Sequence, residues 1–412
     1  MKKVDNEKKN FLWNAVGLSM NTFNSLFFMI IINRINSGRE AGIFTFAFSL
    51  VGMLYFIAIF YSRAFQVSNK KFSNKEYIIH RIINCILTLI ISTLFVVICK
   101  YSFYKSIIIL LITLFRVLEA LADVFYGIEQ VNGYLYKAGK SMFFKGLISI
   151  IVFLIIDIIT KDVRLSCFGI IIINLFGILF YDIKNSKDYI ENDIKMSNLI
   201  SLYKKTLPIF IFSFLSIYLV NSTKYTLDFY DSAEIQNIFG IILMPGTMLS
   251  LCCQYILNPY LNKMSDLKKN NNFLDFNKLI AKISSYVILL GILGEIVCYL
   301  IGIPLLNFVY NIDLKQYKYL LLIIIIGAIC YALVNIFSSA LTILERNFIQ
   351  MIIYIINSIF AFIISIILIS NYKIKGAAIG YSIIMLLILI TYILCYNKTM
   401  KDLRYENETT NK

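Results

Sequence analysis

Apolar residues fall along this chain in blocks of about 20, long enough for a helix to cross roughly 30 Å of hydrocarbon, and short polar stretches part the blocks. Windows of that length place spans near 11–33, 41–62, 82–99, 106–126, 141–160, 165–183, 207–227, 238–258, 283–303, 318–340, 349–370 and 376–396. In lipid only a helix or a closed barrel satisfies its own backbone hydrogen bonds, and these runs lack the apolar and polar alternation of barrel strands. With four prolines in 412 residues, the runs are free to continue as helices. The pattern predicts an all-α polytopic membrane protein with about twelve transmembrane helices, an even number that puts both termini on one side. No loop between spans exceeds about 25 residues, too short for a separate folded domain, so any function must reside in the bundle.

Charge sets the orientation. Most of the 39 Lys and Arg residues lie in segments 1–10, 63–81, 184–205, 263–282 and 398–412, all on the side of the termini. That asymmetry marks cytoplasmic loops, and the same segments can touch anionic headgroups, which makes membrane lipids a partner. The net charge of +15 is spread over many short loops instead of one patch, which argues against nucleic acid as a partner. Of the eight cysteines nearly all sit inside or at the ends of apolar runs, where they act as small hydrophobes. There is no Cys/His spacing of metal type, and the single histidine, His80, falls in a basic loop, so neither a metal site nor a cofactor is expected. Residues 1–9 are basic, but the run behind them is long enough to span and lacks a small-residue cleavage site; it is predicted to be the first helix, not a cleaved signal.

The longest hydrophilic stretch follows the sixth span. It divides the chain into an N-terminal six-helix lobe (1–183), a cytoplasmic linker (184–206), a C-terminal six-helix lobe (207–396) and a cytoplasmic tail (397–412). Faint echoes link the halves: Glu40 to Phe44 opens span two as Glu234 to Phe239 opens span eight, and Glu129-Gln130 follows span four as Glu345-Arg346 follows span ten. Two parallel repeats of this kind put a substrate pathway between bundles that can rock. Pro208 is placed just inside span seven, where its missing N–H costs nothing, and Pro245-Gly246 interrupts span eight as a bend or hinge, with simple packing tolerance as the alternative.

A charged side chain at mid-membrane costs about 2.5–3.5 kcal/mol on insertion scales, so each must face protein, water or substrate. Span four carries Arg116, Glu119 and Asp123 on one helical face, a seam that continues through Gly127 to Gln130. Either an internal salt-bridge network or a hydrated cavity accounts for it. Span one repeats Asn10, Asn14, Gly17, Asn21 and Asn24 at the same spacing, as a wet face or as interhelical glue. Span seven leads through Ser213 and Ser216 to Lys224 and Asp228, one turn apart and either embedded or at headgroup level. Lys145 in span five and Glu295 in span nine are single embedded charges, and Arg34 and Arg63 end spans one and two. Among these groups Arg34, Arg63, Arg116, Lys145 and Lys224 give a positive field that Glu119 and Asp123 offset only in part, and Arg suits phosphate oxygens through its planar fork. No nucleotide-binding loop and no Ser–His pair is present, so no catalysis is expected, and transport energy must come from an ion gradient or from the downhill fate of the product. Glu119, Asp123, Asp228 and Glu295 are the candidate ion-coupling carboxylates.

The runs Asn14 to Gly17, Gly38 to Phe44, Arg63-Ala-Phe-Gln66-Val-Ser-Asn69 and Arg116 to Gln130 resemble the Wzx-type polysaccharide flippases, transporters of O-antigen and capsule repeat units within the multidrug/oligosaccharidyl-lipid/polysaccharide exporter superfamily. The resemblance covers roughly residues 10–150 and thins beyond them to span count and spacing. It implies two six-helix lobes around a central cavity in a bacterial cytoplasmic membrane. The implied substrate is an undecaprenyl-diphosphate-linked oligosaccharide, and a polysaccharide polymerase and a chain-length regulator are the implied protein partners. By the same resemblance Arg63, Gln66, Arg116, Glu119, Asp123 and Gln130 are cavity residues; Lys145, Asn14, Asn21 and Lys224 join them from the reading of embedded groups. Asn69 departs from the Asp expected there, and Tyr134–Lys137 offers a Lys where an Arg is expected.

Three rivals stay open. A drug/cation antiporter of the same superfamily needs acids in span one or seven, and span one has none. A membrane polysaccharide polymerase or acyltransferase would carry a long external loop, and here every external loop is about 15 residues or shorter. A structural scaffold is the third.

Overall fold

The computed structural model describes residues 2–68, 71–190 and 194–410; Asn69 lies outside them. Helices follow one another as α1 (Lys2–Ile35), α2 (Gly38–Ile59), α3 (Ser62–Ser68), α4 (Asn74–Ile98), α5 (Phe103–Val131), α6 (Leu135–Thr160) and α7 (Val163–Gly177). A π-helical turn (Ile178–Asp182) carries α7 into α8 (Ile183–Ser186), after which come α9 (Met196–Tyr230), α10 (Ala233–Leu257), α11 (Leu261–Lys269) and α12 (Phe273–Val297). A second π turn joins α12 to α13 (Ile303–Tyr310); α14 (Lys318–Ile343) and α15 (Asn347–Thr410) complete the chain.

Helix α4 shows why these segments belong in lipid. Arg81, Cys85, Thr88 and Ser92, at spacings of three and four, are buried, while Ile86, Ile90, Leu94 and Val97 on the opposite face are exposed. Polar side chains inside and apolar ones outside invert the soluble arrangement, and only a hydrocarbon solvent makes that favourable. Among the described residues ten stretches are long and apolar enough to cross a membrane. Helix α5 falls short of that count because of its three seam charges, and α15 crosses twice: Lys373 (φ 51°, ψ −131°) breaks it, and Asn357 on the first arm donates to Thr391 Oγ1 on the second at 3.1 Å. The chain is a multi-pass α-helical membrane protein with twelve long apolar helices.

Local signals set the helix ends. Ser37 with Glu40, and Ser73 with Glu76, form reciprocal capping boxes that start α2 and α4. At its far end α2 stops on Phe60 and Tyr61, two successive non-glycine residues in the left-handed region (φ 41° and 51°). That sharp break starts α3 and aims its first turn at α5.

Two compact units part within α9, between Phe214 and Leu215. In the first, α2, α3, α4, α6 and α7 pack around α5, and α1 lies along α6. Gly17 and Gly139 allow that last pairing, since a Cβ on either would strike the other helix's backbone. Asn10 completes it by donating to Gly133 O (3.0 Å) and accepting from Tyr136 N (2.8 Å), which caps the start of α6. In the second unit α10, α12 and α15 pack on α14.

Several sequence expectations are corrected. His80 and Arg81 are not in a basic loop: α4 starts at Asn74, and both side chains are fully buried. Arg63 does not end the second span but stands in α3. Glu129 and Gln130 still belong to α5. Pro208 lies well inside α9 rather than at its start, because the helix begins at Met196, and α10 runs through Pro245 without interruption.

Candidate functional site

The seam on α5 gathers a network of ion pairs in the first unit. Arg116 Nη1 donates to Glu119 Oε2 at 2.6 Å, and its guanidinium lies 4.4 Å from the Phe48 ring centroid. Asp123, one turn further on, does not pair with Arg116. Its Oδ1 accepts from Arg63 Nη1 (2.9 Å) and its Oδ2 from Arg81 Nη2 (3.0 Å). Arg63 also donates through Nη2 to Gln130 Oε1 at 3.0 Å, and Arg81 to Ser62 Oγ at 3.0 Å. The αL break at Phe60 and Tyr61 thus delivers two groups to Asp123's surroundings: Arg63, and the hydroxyl that steadies Arg81. The two arginines differ in reach, since the Arg63 side chain is 23% exposed and that of Arg81 is 0% exposed.

Lys145 is not a single embedded charge, as expected from the sequence. Its Nζ donates to Asp182 Oδ2 at 2.7 Å, and Asp182 Oδ1 accepts from Ser141 Oγ at 2.6 Å. Asp182 ends the π turn, an extra residue in the helical ladder that sets its carboxylate on α6. The Lys145 stem runs over Gly177, where a Cβ would collide with it.

A cavity of about 160 Å³ opens between these groups. Arg63, Glu119, Asp123, Lys145, Asn21 and Asn24 line it, with Tyr55, Ser149 and Asn174 filling the polar part of the wall. Asn24 is buried and its Oδ1 has no hydrogen-bond partner, an unsatisfied acceptor on a residue of the wall. The Arg63–Asp123 pair also borders a second hollow of about 140 Å³ with Ile59, Tyr61 and Ser62, so the ion pair lines both spaces.

Of the residues singled out from the sequence, the structure brings Arg63, Glu119, Asp123, Lys145 and Asn21 to one cavity. Arg116 and Gln130 stand behind its wall, hydrogen-bonded to Glu119 and Arg63. Gln66 is buried against α5 where Gly127 leaves room, and faces a separate polar hollow beside Asn74 and Lys71. Asn14 is half-buried on α1 outside the cavity wall. Lys224, Asp228 and Glu295 belong to the second unit; the Lys224 carbonyl accepts from Gln236 Nε2 at 3.2 Å, and Glu295 is half-buried with Oε2 unpartnered. The positive field read from the sequence is largely neutralised, because Arg63, Arg116 and Lys145 each hold a carboxylate.

Sequence reasoning missed Arg81 and Asp182. The Ser73–Glu76 capping box is the signal that α4 starts early enough to place Arg81 two turns inside a helix. Asp182 stands inside the apolar run 165–183, where a lone acid calls for a base.

No family model matches the chain. It is 24% identical over 397 residues to the capsular polysaccharide biosynthesis protein CapF of Staphylococcus aureus, covering 95% of this chain and 99% of that one. Its fold is similar to that of the lipid II flippase MurJ in an inward closed conformation (TM-score 0.74, 15% identity, 95% of this chain and 90% of that chain). It is also similar to an inward-facing multidrug resistance MATE family transporter of the MOP superfamily (TM-score 0.68, 12% identity, 95% and 99%). The helical fold agrees with the one that the resemblance to the exporter superfamily implied, and the two solved proteins just described are a flippase and a transporter.

Proposed function

We propose that this chain is a flippase of a bacterial cytoplasmic membrane, with cytoplasmic termini. By alternating access it turns an undecaprenyl-diphosphate-linked oligosaccharide from the inner to the outer leaflet, for a capsule or a related surface polysaccharide such as O-antigen. The observation that carries this reading is the cavity in which Arg63 and Lys145 meet Asn21, Asn24, Glu119 and Asp123. The capsule-biosynthesis name of the CapF relative and the likeness to a lipid II flippase support it.

The pairing geometry gives the ligand a route in. Arg63 spends one Nη on Asp123 and the other on Gln130, the same planar fork that takes two phosphate oxygens. A diphosphate can replace Asp123 on Arg63 at little cost, because Asp123 keeps Arg81 at 3.0 Å. Arg63 is thus the exchangeable base and Arg81 the fixed one. The Asn21 and Asn24 amides suit sugar hydroxyls or phosphate oxygens on the same wall. A cationic drug would need a carboxylate open to it, and Glu119 and Asp123 are both held by arginines.

The test is Arg63→Ala in a cell whose surface polymer depends on this gene. Surface polymer should fall at least about tenfold, a change of roughly 1.4 kcal/mol or more in the rate-setting step, while lipid-linked repeat units accumulate inside and the protein stays in the membrane. Arg63→Lys, a point charge without the fork, should keep part of the activity. Unchanged surface polymer at equal protein levels would refute the cavity's role.

A further inference from the structure

Among the described residues of the first unit, Glu129 is the buried carboxylate that has neither oxygen in a hydrogen bond: it is 1% exposed on α5, and both Oε1 and Oε2 lack partners. The groups acting on it come from three neighbouring elements: Lys137 and Lys145 from α6, Asp182 with Tyr181 from the π turn, and Arg63 from α3. Two of those bases are engaged elsewhere, Lys145 by Asp182 at 2.7 Å and Arg63 by Asp123 at 2.9 Å. Lys137 rests against the Tyr134 ring, 4.9 Å from its centroid. An ionised Glu129 would be a buried charge without a direct counter-ion beside the carboxylate of Asp182, whereas a neutral acid there is tolerated.

We propose that Glu129 is a proton-binding site, held as the neutral acid in this arrangement and emptied when Lys145 moves to it from Asp182. On release the O–H bond breaks, its electron pair stays on the carboxylate, and the proton passes to water. Lys145 acts on Glu129 from the neighbouring helix while its stem packs on the bare backbone of Gly177, and Asp182 has a second donor in Ser141 Oγ at 2.6 Å. Because Lys145 faces the same cavity as Arg63, filling and emptying Glu129 changes the charge presented to an anionic ligand. That use, tying proton movement to lipid turnover, rests on the flippase reading; the proton site itself does not.

The experiment is infrared difference spectroscopy of the full chain in lipid nanodiscs, stepping the pH upward without substrate. The wild type should lose a carboxylic-acid C=O band and gain carboxylate bands. Glu129→Gln should abolish that titrating band, and Glu129→Asp should keep it at a shifted frequency. Lys145→Gln should move the band's loss to higher pH, since it removes the cation that receives the new charge. A titrating band that survives in Glu129→Gln, or no such band in the wild type, would overturn the proposal. So would a Glu129-dependent band that disappears on adding sodium at fixed pH, which would mark a sodium site. Transport is read separately, as the pH dependence of surface polymer, so failure of the flippase reading would leave the spectroscopic result standing.

Discussion

Helices α5 and α14 hold matching places, each the helix on which the others of its unit pack, with one of the paired motifs noted in the sequence at its end: Glu129-Gln130 in the last turn of α5 and Glu345-Arg346 just past α14. Yet α5 carries Arg116, Glu119 and Asp123 through its middle, while α14 carries no charge after Lys318. Around α14 the buried polar contacts are neutral. Gln350 Oε1 accepts from Ser338 Oγ (2.7 Å) and Tyr392 OH (3.1 Å), and Gln350 Nε2 donates to Thr342 Oγ1 (2.9 Å). The ion pairs seen there, such as Lys268–Glu345 and Lys278–Asp275, lie at exposed positions. The buried polar contacts around α14 are thus made by hydroxyls and amides. The charges on α5, each expensive to insert, have no counterpart along α14.

The largest effect should come from Asp123→Ala. It strips Arg81, fully buried, of its carboxylate, and an uncompensated buried charge costs about 3–5 kcal/mol. The expected outcome is a steep loss of folded protein, read by thermal unfolding of the detergent-purified chain. Gln350→Ala in the second unit should cost less, about 1–3 kcal/mol for the polar partners it leaves unsatisfied. Equal losses would mean that charged and neutral networks do the same structural job.

A smaller effect belongs to Arg116, which stands behind the cavity wall and holds Glu119. Arg116→Ala should leave the Glu119 carboxylate bare on the cavity wall, where it repels a diphosphate, and surface polymer should fall by a few-fold to about tenfold. Adding Glu119→Gln to the same chain should restore most of it. Without such recovery, Arg116 would be acting through its contact with the Phe48 ring instead.

The bilayer made the fold legible. Twelve apolar runs could only be helices, and the seam 116–119–123 had to lie on one face of α5. What the sequence hid was pairing across helices. The i, i+3 and i, i+4 spacings suggested that Arg116 and Asp123 share charge, but Asp123 looks outward to α3 and α4, elements 60 and 42 residues away in the chain. Arg81 was hidden because a hydropathy window starts a helix where apolar residues begin, whereas the capping box starts it at Asn74. Lys145 seemed alone because its partner sits on a π turn, which no periodicity of 3.6 would place.

The smallest effect is expected at Glu295 in the second unit, the carboxylate there that most resembles an embedded charge by sequence. It is half-buried on α12, with one oxygen unpartnered, and the residues around it, Ile292, Leu293, Ile296 and Tyr299, are exposed, as lipid-facing positions are. A carboxylate on such a surface is tolerated as the neutral acid, which Glu295→Gln imitates. Surface polymer from that variant should stay within about twofold of the wild type, less than half a kcal/mol in the rate-setting step. A loss comparable to that of Arg63→Ala would mean that both units contribute charge to transport, and the division of labour between α5 and α14 would no longer hold.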